Sequence, residues 1–190
     1  MSTPAGPDAA AVRAAAAAYL DRGWSPIPLQ PPHRGGKAPT LRAWQDHATT
    51  EVEVPGFWPA GAGRNIGLAL GPSRLVVLDF DEPETFAPWA DAHPEAAKSL
   101  TVARDGAAAG RCHVYFTLEP GQPAPANQPK AVTGWGDLLS VGRQVVAPPS
   151  VHASGGAYRV IVDADPIPWA AAYLPEPLPE VLSMVTRPRK

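Results

Sequence analysis

The amino-acid sequence predicts an α+β fold, in which helices pack against a mostly antiparallel sheet. Short apolar runs of strand length recur along the chain, and two longer segments carry helix start and stop signals. Between them lie segments rich in proline and glycine, of which the chain has 25 and 17, so many loops are expected. A chain of 190 residues is long enough to bury a real core and suits a single domain.

Helices are predicted from capping signals. The first begins at Asp8 or a neighbour and runs to about Arg22, where Gly23 is a natural residue to end it. Pro83 opens another helix, because proline is tolerated in the first turn. The other expected helical segments are a turn or two in residues 41–48, the continuation from Pro83 to about residue 92, and one or two short helices with a basic end in 163–190.

Strands are predicted from short apolar segments bounded by turn residues. Prolines in the first segment indicate a sheet edge or a strand end. A proline-rich surface loop covers residues 119–130, and a hairpin around Val141 and Gly142 is expected to join the two strands that flank it. The predicted strands are residues 24–29, 65–70, 74–80, 99–103, 111–118, 135–140, 143–149 and 157–162.

Net charge, cysteine content and hydropathy restrict the kinds of protein that this chain can be. The net charge is only −2, whereas a protein that grips nucleic acid through a broad basic surface is normally more positive. The lone Cys112 excludes an internal disulfide and a cysteine-based zinc site. The sequence has no long apolar run, and its N-terminus lacks the pattern of a secretory signal. We therefore expect a cytoplasmic protein, monomeric, whose contact with any polyanion is local or made through bound metal.

Two carboxylates end one predicted strand in the stretch "LVVLDFDEP". Asp79 and Asp81 share one face of that strand and repel each other, which a bound cation would relieve. His113 and Asp137 stand on other predicted strands. Taken singly, these residues have ordinary structural alternatives: solvated acids, a hydrogen-bonded sheet histidine and an aspartate that caps a turn. Together, the three carboxylates predict a site for Mg²⁺ or Mn²⁺ of the kind used in phosphoryl transfer.

A triphosphate needs cations and hydrogen-bond donors, and four residues of the sequence are candidates. Arg111 is two positions before His113 and shares its face, while Lys37 lies in a flexible loop and Arg143 in the expected hairpin. For each of these cations, a solvated surface charge is the alternative. Ser150 follows two prolines in "APPS" and could present its hydroxyl to a sugar or phosphate, although a purely structural turn explains it nearly as well.

The motifs and their order resemble a known family. "GKAPTLRAW", "NIGLALG", "LVVLDFDEP", "GRCHVYF" and "GDLLSVGRQVVAPPSVHASGGAYRV" are similar to the bifunctional primase/polymerase (Prim-Pol) domain of the archaeo-eukaryotic primase superfamily. The resemblance covers about residues 10–162. It implies one domain over residues 1–190, with an RRM-like catalytic sheet, a helical N-terminal part and a C-terminal helical tail from residue 163.

The resemblance also implies a function. Asp79 and Asp81 match the paired carboxylates and Asp137 the later acidic position, all as metal ligands, and His113 matches the histidine that contacts the nucleotide. The implied activity is template-dependent joining of (d)NTPs on single-stranded DNA with Mg²⁺ or Mn²⁺, in replication or repair, with a mobile element as one setting; DNA and RNA products both stay open. A catalytically silent nucleotide- or nucleic-acid-binding module and a two-metal nuclease are the alternatives.

Two departures from the family pattern bear on that function. Arg111 stands where the family usually has a small residue or serine, so a full charge is expected to replace a hydroxyl at the phosphates. No P-loop motif occurs in the sequence. The chain is therefore expected to act alone, with a separate helicase or replication protein, or as one part of a longer system.

Overall fold

Two sheets with helices around them form the fold in the computed structural model, which describes residues 4–179 and 181. The predicted α+β class is confirmed. The strands are β1 (Ser25–Leu29), β2 (Asn65–Ala69), β3 (Leu75–Phe80), β4 (Thr101–Arg104), β5 (Cys112–Thr117), β6 (Gly136–Leu139), β7 (Gln144–Ala147), β8 (Tyr158–Val162) and β9 (Ile167–Pro168). The helices are α1 (Ala9–Asp21), α2 (Val54–Phe57), α3 (Leu70–Ser73), α4 (Pro83–Ala92) and α5 (Lys130–Thr133), and 3₁₀ turns occupy Pro32–Arg34, Trp44–Asp46, Glu51–Glu53, Ala96–Lys98 and Ala171–Tyr173.

The strands divide between a smaller and a larger sheet. The smaller has the order β1-β2-β7, so the proline-containing β1 lies at an edge as predicted. The larger has the order β6-β3-β5-β4-β8, and the short β9 pairs in parallel with β5. All other pairs of named strands are antiparallel.

The expected hairpin between residues 135–140 and 143–149 is wrong. β6 pairs with β3 in the larger sheet, whereas β7 pairs with β2 in the smaller one. The turn at Val141 and Gly142 does exist, since the Arg143 N–H donates to the Ser140 carbonyl at 3.0 Å, but it carries the chain from one sheet to the other. A tight turn between two apolar runs does not fix which partner each run chooses, because that partner comes from distant sequence.

The caps of the two main helices follow from the sequence. The Asp8 carboxylate accepts from the Ala11 N–H at 3.0 Å and begins α1, which ends just before Arg22. Pro83 is the first residue of α4, as predicted. The segment expected to be a simple turn before β3 is instead the short helix α3. No helix in the described part of the chain is both long and apolar enough to cross a membrane.

Alternation along β3 separates two parts of the core. Leu75 and Val77 belong to a buried cluster to which both sheets contribute, whereas Val76, Leu78 and Phe80 belong to a second cluster on the opposite face. The second cluster includes Trp89 of α4 and side chains that follow β9, among them Trp169, Tyr173 and Leu178. Asp79 projects from the same face of β3 as Leu75 and Val77. It therefore lies at the edge of the buried cluster to which both sheets contribute.

The C-terminal tail agrees in part with expectation where it is described. The 3₁₀ turn at Ala171–Tyr173 and the helical backbone of Pro179 and Val181 fit the expected short helices, whereas β9 was not predicted. Its pairing with β5 anchors the tail to the larger sheet. The expected basic end, in residues 182–190, lies outside the described residues.

Candidate active site

Three polar side chains, those of Asp79, His113 and Asp137, form a row across the larger sheet at the end of β3. Asp79 stands directly opposite His113 on β5 and directly opposite Asp137 on β6. Residues opposite one another in antiparallel strands project from the same face, so all three side chains rise from one surface. The structure therefore brings together three of the residues that the sequence singled out.

A glycine allows the two acidic strands to lie this close. A Cβ placed on Gly136 would stand 1.8 Å from the Asp79 carbonyl oxygen, a separation no real side chain tolerates. Beyond β3 the chain stays beside this strand, since the N–H groups of Asp81 and Glu82 both donate to the Trp135 carbonyl, at 3.0 and 3.1 Å. The position of Asp81 is thus fixed through its backbone.

Asp79 and His113 form an ion pair, with 3.3 Å between Oδ1 and Nε2. Burial of His113 disfavours its charged form, but the charge of Asp79 and the hydrogen bond to it outweigh burial and raise the His113 pKa above its ordinary value. Burial likewise acts to raise the pKa of Asp79, yet His113, Lys37 and Arg111 together hold it below its ordinary value. Both shifts favour a charged imidazolium beside a charged carboxylate.

The other two acids also have partners within the chain. Arg111 Nη2 lies 2.7 Å from Asp81 Oδ1, with 43% of the arginine and 32% of the aspartate side chain exposed. Asp137 Oδ1 accepts a hydrogen bond of 2.5 Å from the Lys130 N–H, at the first residue of α5. Asp137 therefore does satisfy a backbone donor, as its structural alternative expected, but the donor belongs to a helix in a segment predicted to be a loop.

The three carboxylates are suitable ligands for a hard divalent cation, but their side chains are not arranged around a single cation site. Three carboxylates supply the oxygen ligands that Mg²⁺ and Mn²⁺ prefer, and Asp79 faces Asp137 across one strand pair. Among residues 4–179 and 181, however, no three His, Cys, Asp or Glu side chains converge closely enough to hold a metal. Each carboxylate is turned to a donor of the protein, and Arg111 supplies part of the positive charge that a cation would bring.

A polar pocket of about 310 Å³ opens beside the row. Its volume suits part of a nucleotide-sized ligand. Lys37 reaches it from the loop after β1 and has no salt-bridge partner in the described part of the chain. The polar residues that line the pocket are Lys37, Asp79, Asp81, Arg104, Arg111, His113, His152 and Tyr158.

Comparison with protein families places the chain as a whole. The family described as "Bifunctional DNA primase/polymerase, N-terminal", or Prim-Pol, matches residues 16–180. The chain belongs to the Prim-Pol family. The comparison with curated proteins found no match.

The match confirms the resemblance drawn from the motifs and extends it. The Prim-Pol match begins within α1 and continues past residue 162 into the tail that contains β9. At the level of the family, the chain is thus a primase/polymerase-type nucleotidyltransferase domain.

Two candidate residues of the Prim-Pol domain lie away from the pocket. Arg143 is exposed in the crossover between the sheets and is not among the pocket-lining residues. Ser150 is fully buried, and its hydroxyl accepts from the Ile66 N–H and donates to the Ile66 carbonyl, each at 2.9 Å. This position corrects the expectation of a nucleotide contact at Ser150, because the hydroxyl joins the segment after β7 to β2.

Asn65 is a site-building residue that the sequence analysis missed. It is fully buried at the start of β2, and its amide donates to the carbonyls of Gly36 and Val151 at 2.9 and 2.7 Å. Its Oδ1 accepts from the Val151 N–H at 3.0 Å. Asn65 thus fixes the backbone next to Lys37 and next to His152, which lie on separate loops. The available signal was a polar residue at the head of an otherwise apolar strand.

Proposed function

We propose that this Prim-Pol domain is a template-dependent DNA primase/polymerase. In this proposal, Asp79, Asp81 and Asp137 hold Mg²⁺ or Mn²⁺, and the pocket receives a (d)NTP that is joined to a strand on single-stranded DNA. The observation that carries the proposal is the register of β3, which sets Asp79 between His113 and Asp137 on one face, next to a pocket lined by basic groups.

Cation binding requires two exchanges of partner. Asp81 releases Arg111, and Asp137 releases the Lys130 N–H. The first exchange costs little, because an ion pair exposed to this extent is worth no more than about 1 kcal/mol. When bound, divalent cations would favour the ionised attacking hydroxyl and neutralise charge on the departing pyrophosphate.

The side chains of the chain itself bind and orient the substrate. Lys37 and the released Arg111 lie in the pocket and suit the negative charge of a triphosphate, Arg111 through a bidentate guanidinium. His113 lines the pocket and is held by Asp79 in its charged form, so it adds positive charge beside the bound triphosphate. The near-neutral charge of the chain suits weak template affinity, which a separate replication protein or helicase would augment.

Nucleotide incorporation tests the proposal. Labelled dNTPs or NTPs are offered with Mn²⁺ or Mg²⁺ on primed and unprimed single-stranded templates, and pyrophosphate release is followed. We expect extension that Asp79→Asn abolishes, while Asp105→Asn, whose carboxylate pairs with Arg159 at 2.7 Å outside the pocket, leaves it unchanged. Equal extension by wild type and Asp79→Asn contradicts the metal site. Strand cleavage without pyrophosphate release supports a nuclease instead.

A binding module without catalysis is the second candidate. Its support is that Arg111 and the Lys130 N–H already satisfy two of the three carboxylates, an arrangement that holds the fold together without metal. Such a module binds dATP or single-stranded DNA but shows no turnover with any template or cation. Binding without turnover in the wild type, unchanged in Asp79→Asn, selects this candidate.

A further inference from the structure

We infer that His152 is a second histidine of the nucleotide pocket, a neutral imidazole that donates a hydrogen bond from Nε2 to a phosphate oxygen of the bound triphosphate. The identity of the ligand rests on the proposed function. The protonation and direction of the ring rest on contacts with Ser154 and Arg104 alone.

The hydrogen bonds of Ser154 fix where the proton of His152 lies. The Ser154 N–H can only donate, and it lies 3.1 Å from His152 Nδ1, so Nδ1 must accept. The Ser154 hydroxyl is 2.8 Å from the same nitrogen. Arg104 Nη1 donates to that hydroxyl at 3.0 Å, so the hydroxyl accepts from Arg104 and its own proton is free for Nδ1. A ring that accepts at Nδ1 carries its proton on Nε2.

The charge around the ring agrees with this tautomer. Burial, followed by the nearby positive charges of Arg104 and Lys37, lowers the His152 pKa below its ordinary value. His113, in the same pocket, is shifted the other way by Asp79. The pocket thus contains one histidine that favours the charged form and another that is neutral at physiological pH.

The position of His152 suits an anionic ligand. His152 lines the pocket, and Nε2 has no hydrogen-bond partner in the described residues. The charges of Arg104 and Lys37 both reach the ring, so it stands beside basic groups that line the same pocket. A neutral donor there adds a directed hydrogen bond without adding to the mutual repulsion of the cations.

The backbone around His152 is fixed before any ligand arrives. The side chain of the buried Asn65 forms hydrogen bonds with both the N–H and the carbonyl of Val151, the residue before His152. The His152 N–H donates to the Gly156 carbonyl at 2.8 Å, and its ring packs near Tyr158, with 6.5 Å between ring centroids. A donor held in this way loses little conformational entropy on binding.

The first experiment reads the tautomer directly. Long-range ¹H–¹⁵N correlation of the imidazole nitrogens in ¹⁵N-labelled protein, free of divalent cations at pH 7.5, is expected to show His152 neutral with its proton on Nε2. Ser154→Ala removes the hydroxyl contact, so the population of the other tautomer is expected to rise. A wild-type ring protonated on Nδ1, or charged at this pH, overturns the inference.

The second experiment separates the two nitrogens with a matched pair of variants. His152→Asn keeps an acceptor near the position of Nδ1 but has no donor at that of Nε2, whereas His152→Gln extends an amide N–H towards the position of Nε2. Isothermal titration with inorganic triphosphate and with dATP, in Mg²⁺ without template, is expected to show about three- to tenfold weaker binding for His152→Asn, the effect of one hydrogen bond. His152→Gln is expected to recover most of that loss. His33→Asn, an exposed histidine outside the pocket, is the control.

The outcomes distinguish this inference from the proposed function. If the wild type binds both probes in a His152-dependent way but never extends a primer, the inference stands and the polymerase proposal fails. If the wild type extends primers, His152→Asn is expected to raise KM for the nucleotide with kcat nearly unchanged. Extension with an unchanged KM, or triphosphate binding equal to that of wild type in a folded His152→Asn variant, overturns the inference alone. Wild-type protein that binds neither probe overturns both.

Discussion

Arg111 Nη2 lies 2.7 Å from Asp81 Oδ1, so the arginine forms an ion pair with one of the two carboxylates at the end of β3. The sequence places these residues 30 positions apart, and the antiparallel pairing of β3 with β5 brings them to the same end of the sheet. This contact opposes metal binding at Asp81, yet the same guanidinium lines the pocket in which a triphosphate would sit. Arg111 is therefore expected to change partner when substrate and cation bind.

Arg111→Ala is expected to have opposite effects on the two ligands. Without the competing guanidinium, Mn²⁺ affinity in the absence of nucleotide should rise by up to about fivefold, the equivalent of an exposed ion pair. Affinity for dATP should fall, because a phosphate partner is lost. Titration calorimetry measures both constants. Arg111→Lys, which keeps the charge, should lie between, and Arg159→Ala, which breaks an ion pair outside the pocket, should alter neither. Parallel loss of both affinities contradicts this account.

Gly136→Ala is expected to separate the two acidic strands. The added Cβ would stand 1.8 Å from the Asp79 carbonyl oxygen, so β6 must move away from β3. Overpacking of this kind costs about 1–3 kcal/mol of unfolding free energy or more. Urea or thermal unfolding measures the loss, and nucleotide incorporation should fall with it. Gly56→Ala is the control, since a Cβ there meets nothing within 4 Å and alanine favours the helix. Equal unfolding free energies of Gly136→Ala and Gly56→Ala would contradict this expectation.

The Asp79–His113 pair predicts how one histidine titrates. In protein freed of divalent cations, NMR should give a His113 pKa above about 6.5. In Asp79→Asn, the carboxylate charge that opposes the effect of burial is lost, so the His113 pKa should fall below that value. A His113 pKa that stays raised in Asp79→Asn contradicts the pairing.

The same shifts give the sign of a pH effect on stability. The raised His113 pKa contributes stability that is complete below the unfolded value of about 6.5 and is lost as pH rises through the folded value. The lowered Asp79 pKa contributes stability that is complete above about 3.9 and is lost as pH falls through the folded value. The wild type should therefore exceed Asp79→Asn in unfolding free energy by more at pH 5.5 than at pH 8.5. An equal difference at both pH values argues against the shifts.

Local signals account for what could be predicted from the sequence. The caps of α1 and the first residue of α4 follow from Asp8 and Pro83, because capping depends on a few adjacent residues. The shared face of Asp79 and Asp81 follows from the alternation of side chains in a strand. The convergence with His113 and Asp137 came from matching motifs in order, which carry information that periodicity lacks.

Long-range pairing accounts for what could not be predicted. β6 and β7 look like a hairpin because their turn is local, but their partners, β3 and β2, come from far earlier in the chain. His152 reads as a surface residue until Arg104, some fifty positions away, is seen to orient Ser154. Contacts of this kind depend on packing between sheets, which the sequence pattern of either segment alone does not specify.

Asp137 has two roles that one pair of variants separates. Asp137→Asn keeps an oxygen acceptor for the Lys130 N–H but removes the charge, so stability should change by no more than about 0.5 kcal/mol. Mn²⁺ affinity and incorporation should nevertheless fall by about tenfold or more, the equivalent of about 1.4 kcal/mol. Asp137→Ala should lose both the cation and about 1 kcal/mol of stability, because the hydrogen bond to the Lys130 N–H is lost. Unchanged Mn²⁺ affinity in Asp137→Asn would leave the residue a structural cap only.

Ser150 and Ser140 are both fully buried serines, but their hydroxyls differ in what they bond. The Ser150 hydroxyl satisfies the N–H and the carbonyl of Ile66, so Ser150→Ala leaves two buried backbone groups unpartnered and should cost about 1–3 kcal/mol. The Ser140 hydroxyl has no partner among the described residues, so Ser140→Ala removes an unsatisfied group and should be neutral or stabilising. Chemical unfolding compares the two variants directly. Since Ser150 acts through β2 and not in the pocket, the dATP dissociation constant of Ser150→Ala should match that of wild type under conditions where the variant is folded. Weaker dATP binding with unchanged stability would instead return Ser150 to the nucleotide site.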